Sequence, residues 1–325
     1  MVRALDAQPV MPPWSRSMSD AYGEAIVRFN HRLAETGLFT DAALAALIDR
    51  HPAAQTDICT MKRNPPPGET WIAGEARGMK GADLVRAVKK GDLWVSCRGA
   101  MASDPEYRPL FDEMIAAFGK AIGMPILSAN ASVLISGPRM GIFFHCDPTE
   151  TMLWHVRGTK TINLYPRTDD YIPEQRMEAI LLKENLADAP WRDEMAAGAT
   201  PVALKPGDAV CWPLHGPHNV INGPDMNVSV SVEYATPASV MTNGVLYVNG
   251  VLRRTLGLDL SYAGTPAPLR PVYWAAAKAL RTFAPPKHNA EKAHLRQFDV
   301  NLGAPGCIRW REGFGPAKAR TKKAA

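Results

Sequence analysis

Apolar positions along this chain recur at two different spacings, and the changeover divides it into three regions. Up to residue 125 the spacing is mostly helical. Residues 19–36, 40–50, 81–89 and 108–122 place apolar side chains three and four apart. In the second of these, Ala43, Leu44, Leu47 and Ile48 form a stripe behind Thr40, a predicted N-cap with Asp41 beside it. Gly123 is a predicted stop for the last. Pro9, Pro12 and Pro13 predict an extended arm over the first 17 residues, and the Pro/Gly-rich stretch 63–78 predicts a loop.

From 126 to 236 short β-rich runs alternate with turn residues: Ala131–Ser136, Gly141–His145, Thr151–Val156, Lys160–Tyr165, Pro201–Leu204, Ala209–Trp212, His218–Ile221 and Asn227–Tyr234. In the last, Val228, Val230 and Val232 share one face, and Ser229, Ser231 and Glu233 the other. Trp94–Cys97 predicts an outer strand, and residues 167–200 read as an acidic, helix-prone insertion. Beyond 236, helical patterns at 239–256, ending at Gly257, and 271–283 precede a basic, disordered tail. The whole predicts an α+β protein with a mainly β core: a supporting N-terminal region (1–125), a barrel or jelly roll (126–236), and C-terminal helices (237–325). Helix 239–256 is expected to cover the barrel, with a homodimer through the C-terminal helices as the second reading.

Composition narrows the classes. With 325 residues, 46% hydrophobic, the chain can bury one large core. A formal charge of +5, much of it in Lys318, Arg320, Lys322 and Lys323, predicts a solvated tail rather than a nucleic-acid grip. Five scattered cysteines without a CxxC pair argue against a zinc ribbon or a disulfide framework and predict a reducing, cytoplasmic setting. No run approaches the ~20 apolar residues of a membrane span.

The chemistry concentrates in three features. In His145-Cys146-Asp147, residues i and i+2 of a strand end point to one side, so imidazole and carboxylate converge. Alone, such a pair is equally an exposed His beside an Asp-Pro turn. Second, Pro206-Gly207-Asp208 turns into Ala209–Pro213, with His218 heading a later strand that a closed sheet brings near the first pair. Two His and one carboxylate leave coordination positions open, which suits Fe(II) oxygen chemistry better than a closed structural zinc site. Third, Lys160 lies fifteen residues after His145 on the next strand. An inward Lys needs an anionic partner, whereas an edge-strand Lys faces water.

Together these residues resemble the JmjC/cupin-like family of Fe(II)- and 2-oxoglutarate-dependent oxygenases. The runs HCDPTETMLWHVRGTKTINLYP and PGDAVCWPLHGPHNV are most similar to the branch containing the asparaginyl hydroxylase that acts on the hypoxia-inducible factor. The likeness spans residues 126–236 and implies a double-stranded β-helix. It implies iron held by His145, Asp147 and His218, Lys160 clamping the distal carboxylate of 2-oxoglutarate, and Thr151 touching the co-substrate. Ile142 stands where that hydroxylase has a carboxylate-binding Thr, with Asn163 and Ser229 as candidates to compensate. Glu233 stands where it has Asn, and no role is assigned to it. His215 is expected to face water, with a place at the pocket mouth as the second reading, His155 to be a satisfied core or surface histidine, Cys146 to be apolar filler, and Trp154, Trp212 and Tyr165 to pack, with a place in the pocket wall as their second reading.

The implied reaction is hydroxylation, or demethylation at an N-methyl carbon, of a protein, peptide or small molecule, consuming dioxygen and releasing succinate and carbon dioxide. Two alternatives stand beside it: a non-catalytic cupin-like binding module, and a metal-dependent cupin enzyme that does not use 2-oxoglutarate. Loops 63–78 and 167–200 are expected to frame the entrance.

Overall fold

The computed structural model describes residues 8–61, 63–68, 71–184, 190–283 and 295–315. The basic cluster from Lys318 to Lys323 lies outside them.

Helix α1 (Arg16–Ala21) starts where the Ser15 hydroxyl accepts the Met18 amide, and soon meets Gly23 at φ 83°. It does not run to residue 36. Residues expected to continue it form strand β1 (Val27–Asn30), because Val27 and Phe29 alternate with exposed Arg28 and Asn30 at the two-residue period of a sheet. Helix α2 (Asp41–Arg50) begins at the predicted cap, with Thr40 accepting the Ala43 amide at 3.3 Å. Strands β2 (Thr56–Thr60), β3 (Ile72–Glu75) and β4 (Trp94–Cys97) follow, interleaved with helix α3 (Gly81–Lys90) and succeeded by α4 (Ala100–Ser103) and α5 (Arg108–Ile122). Strand β3 thus occupies part of the predicted loop. Gly74 permits it, since a Cβ there would collide with the Phe298 ring.

Eight strands then build the core: β5 (Ser128–Ser136), β6 (Gly141–His145), β7 (Glu150–Arg157), β8 (Lys160–Leu164), β9 (Thr200–Leu204), β10 (Asp208–Cys211), β11 (His218–Asn222) and β12 (Asn227–Ala235). Helix α6 (Glu174–Leu181) lies in the insertion before β9; α7 (Pro237–Leu256) and α8 (Arg270–Phe283) follow the core. The segment expected to trail off instead folds back as β13 (Phe298–Val300) and β14 (Ile308–Trp310), with β13 parallel to β3.

The large sheet runs β1-β10-β7-β12-β5-β4-β2-β3-β13-β14 and the small one β6-β11-β8-β9. From β5 to β12 the chain changes sheets at every step except β8 to β9. That winding is the double-stranded β-helix, or jelly roll, with helices added before and after it.

Strand alternation then divides the core. Met152, Trp154 and Val156 of β7 and Val228, Val230 and Val232 of β12 are buried on the helix side, in one cluster with Leu44, Val88, Met114 and Phe118. The other face of the large sheet meets the small sheet. There Leu153, Ile162, Leu164, Val202, Leu204, Val210, Trp212 and Val220 pack into a second, smaller cluster. At one end α7 closes the barrel, as expected. Its Thr236–Ser239 capping box is complete, Leu246 joins Phe144 and Cys146, and Arg253 pairs with the fully buried Glu178 of α6 at 3.0 Å.

Candidate metal and co-substrate site

Strands β6 and β11 are antiparallel neighbours, with His145 directly opposite His218 and Ile142 opposite Val220. Two steps on β11 therefore match three on β6, which is a β-bulge. Simple alternation would put Ile142 and His145 on opposite faces. The extra residue lets His145 face its partner histidine while Ile142 still packs on the inner apolar cluster.

The two histidines are fixed from behind. The Nδ1–H of His145 donates to the Phe143 carbonyl at 2.7 Å and that of His218 to the Gly216 carbonyl at 3.1 Å. A carbonyl only accepts, so these bonds set the tautomer and leave each Nε2 with a bare lone pair. Both Nε2 atoms face Asp147, at 4.0 Å from His145 and 3.7 Å from His218, too far for a hydrogen bond. The imidazole centroids are 4.1 Å apart, and the three ligand atoms lie within 4.8 Å of one another. Three lone-pair groups turned toward one point, without hydrogen bonds among them, fit a shared cation. Burial, followed by the neighbouring His145, pushes the His218 pKa below its usual range and keeps it in the neutral form a metal needs. Cys146 points away, its Sγ 3.2 Å from Met177 Sδ, and acts as apolar filler.

Lys160 begins β8, opposite Asn222 on β11 and Leu204 on β9. It shares the inward face with Ile162 and Leu164, is 7% exposed, and has neither hydrogen bond nor ion pair among the described residues. The edge-strand reading is excluded. Burial without a partner pushes its ammonium down to about 7. Leu164, not Lys160, lies opposite His218, so Lys160 sits four strand positions, ~13 Å, along β8 from that level.

The other candidates separate. Thr151 and Ser229 share the inward faces of β7 and β12 with Leu153 and Glu233, and both are buried. Thr151 Oγ1 donates only a long bond, 3.4 Å, to the Thr149 carbonyl. Ser229 Oγ lies 3.0 Å from His155 Nδ1, while His155 Nε2 lies 2.9 Å from the Gly158 carbonyl. His155 is buried, and burial followed by the Lys160 charge lowers its pKa to about 3, so the ring is neutral. Its one N–H serves Gly158, and Ser229 must donate its only proton to Nδ1. Ser229 therefore has no proton left for a carboxylate. Asn163 is the clearer departure: with Thr161 it lies on the face of β8 opposite Lys160, beside Asn219. An odd offset of three along a regular strand enforces this.

His215 also departs from expectation. It is buried rather than water-facing, and its Nε2–H donates to Asn243 Oδ1 at 2.8 Å. Asn243 of α7 in turn donates to the Pro148 carbonyl at 2.7 Å. The sequence reading missed Asn243 as the residue holding the turn after Asp147, and a polar side chain on a mainly apolar helix was its only signal. It also missed Asn222, which faces Lys160 and is fixed by bonds to Ser136 Oγ (2.8 Å) and the Gly137 carbonyl (2.9 Å).

The segments 63–78 and 167–200 meet beside β6. The Pro67 carbonyl accepts the Phe144 amide at 2.6 Å, Gly68 lies against Trp191, and Trp191 stacks near Phe144 and Tyr165 at 5.3 and 5.7 Å.

No family model and no curated protein matches this chain. Solved structures similar to it include a crystal structure of the Escherichia coli ribosomal oxygenase YcfD, at 12% identity and TM-score 0.48, covering 85% of this chain and 68% of that one. The same enzyme in complex with cobalt and 2-oxoglutarate is similar at 13% identity and TM-score 0.46, covering 84% and 68%. These neighbours lend no support to the narrower likeness with the asparaginyl hydroxylase branch.

Proposed function

We propose that this chain is an Fe(II)- and 2-oxoglutarate-dependent oxygenase, with iron held by His145, Asp147 and His218 and the co-substrate anchored by Lys160. One observation carries the reading. A barrel interior holds two carbonyl-anchored imidazoles turned on a carboxylate and, four positions along β8 from that level, a buried ammonium with no partner among the described residues. A divalent cation satisfies the first group, and a dianion satisfies the second.

When bound, iron and 2-oxoglutarate would supply dioxygen activation and the two electrons that a hydroxylation consumes, leaving succinate and carbon dioxide. The chain's own residues do the rest. Asp147 offsets part of the metal charge. The Phe143 and Gly216 carbonyls hold both imidazoles in the ligating tautomer. Lys160 would keep its proton once a carboxylate arrives, and the apolar cluster around Leu153, Ile162 and Val220 excludes water from that salt bridge. Thr151 would touch the co-substrate; Ser229, whose proton goes to His155, would not bind the anion.

Iron-dependent succinate formation from 2-oxoglutarate, lost on Asp147→Ala, tests the proposal. Its absence in the wild-type chain, with iron bound, would reject it. Ile142 favours a second reading: an apolar inward residue beside the carboxylate site leaves Lys160 with little help, as suits a barrel that binds metal without 2-oxoglutarate. Titration calorimetry with 2-oxoglutarate on the metal-loaded protein separates the two.

A further inference from the structure

Helix α7 reaches both ligand-bearing turns through one side chain. Asn243 Nδ2 donates to the carbonyl of Pro148, the residue after Asp147, at 2.7 Å, and Asn243 Oδ1 accepts from His215 Nε2 at 2.8 Å. His215 precedes Gly216, whose carbonyl accepts the Nδ1–H of His218 at 3.1 Å. The amide cannot be turned round, because a carbonyl only accepts and Pro148 therefore takes the Nδ2 end. A single asparagine thus bridges the turn that carries Asp147 and the turn that leads into His218.

The surroundings make this bridge rigid. His215 is buried, at 5% exposure, and sits at φ 63°, a left-handed conformation that a residue with a Cβ disfavours. Beside it, a Cβ on Gly216 would meet the Trp212 ring at 2.8 Å and the Pro213 carbonyl at 3.0 Å. Helix α7 is itself held on two sides. The Thr236 amide at its cap donates to Glu150 Oε2 at 3.0 Å. Next to Asn243, Gly244 lets α8 close in, since a Cβ there would lie 2.8 Å from the Trp274 Cα.

Strain of the His215 kind persists where the surrounding structure over-determines it, and it gathers at sites that bind ligands. We propose that Asn243 and His215 are positioning residues for the metal: their bridge sets the separation of the Asp147 carboxylate and the His218 imidazole, and it links metal binding to the docking of α7 on the barrel. This rests on the metal-binding part of the oxygenase reading and adds a coupled element to it. Linkage is reciprocal, so a bound divalent ion tightens α7 by as much as a docked α7 tightens the ion.

The experiment uses the full chain and cobalt(II), titrated against a chromophoric chelator, with the visible absorption of the bound ion as a second readout. Asn243→Leu nearly keeps the volume and removes both bonds. It should lower cobalt affinity about 10- to 100-fold and alter the absorption bands. His215→Gly breaks the bridge at its other end and removes the left-handed cost together with the ring. It should lower affinity as well, and the double variant should lose no more than the worse single one. Val248→Ala, on the side of α7 that packs against α8, is the control for loosened packing, and its affinity and bands should match the wild type. Cobalt should also slow hydrogen exchange at the α7 amides of the wild type and leave it unchanged in Asn243→Leu. Wild-type affinity and bands in Asn243→Leu overturn the inference, as does an equal loss in Val248→Ala. A wild-type chain that binds no cobalt rejects the metal centre itself.

Discussion

The two faces of β7 and β12 place opposite demands on their side chains. Toward the helices, Met152, Trp154, Val156, Val228, Val230 and Val232 are all essentially inaccessible and entirely apolar, and helices α2, α3 and α5 close over them. Toward the small sheet the same strands carry Thr151, His155, Ser229, Ser231 and Glu233. The first face supplies burial, worth ~1.5–3 kcal/mol for each large side chain, and needs no particular chemistry. The second forgoes much of that gain to keep polar groups in a cavity. Among the described residues that face meets at Lys160 an ammonium with neither hydrogen bond nor ion pair, whereas the six side chains of the helix-backed face carry no charge.

Substitutions on the two faces should therefore fail in different ways. Asp147→Ala should have the largest effect, lowering iron-dependent turnover by more than ~1,000-fold with little change in melting temperature, as seen by succinate assay and calorimetry. Trp154→Ala, on the helix side, should cost about 3–5 kcal/mol of stability in a denaturant titration. Iron affinity per folded molecule should persist there; a collapse of metal binding at full folding would break the distinction between the faces. Lys160→Met should keep the fold, or strengthen it by removing a buried charge, while weakening 2-oxoglutarate binding by roughly 30- to 100-fold, about 2–3 kcal/mol.

The pH dependence of that binding sharpens the same point. The free Lys160 ammonium titrates at about 7, and an anion beside it would raise that value. Below pH 7 the group is already charged, and affinity should be flat as far as it is concerned. Above pH 7 binding must take up a proton, and affinity should fall about tenfold per pH unit. Calorimetry in buffers of different ionisation enthalpy reads the uptake directly, and none at pH 8 would contradict the assignment. The smallest effect should belong to Ser229→Ala, which leaves His155 Nδ1 unbonded and should cost about 1–2 kcal/mol of stability. Iron affinity should be unchanged.

Much of this was legible along the chain because strand alternation is a local property. The β12 pattern of Val228, Val230 and Val232 against Ser229, Ser231 and Glu233 reads correctly without coordinates, and so do Thr40 as a cap and Cys146 as filler. The readings that failed involve short or irregular segments. Val27–Asn30 is four residues long and sits in helix-like sequence, and only its pairing with β10 makes it a strand. The three-residue β13 and β14 exist because β3 offers them an edge. Asn163 differs for another reason: its polarity fits a co-substrate contact, but its odd offset from Lys160 turns it to the other face of β8. His215 was placed in water because its partner Asn243 is on a distant helix.

The chain by itself determined which residue types could carry chemistry, and which of them share a strand face, since both follow from composition and a two-residue period. Tertiary structure decided the encounters. His218 meets His145, seventy-three residues away in sequence, only through the pairing of β11 with β6. The bulge beside them, the bond from Ser229 to His155 and the burial of Lys160 arise likewise from what closes around each group. Such contacts depend on distances in space, and a linear order of side chains does not contain them.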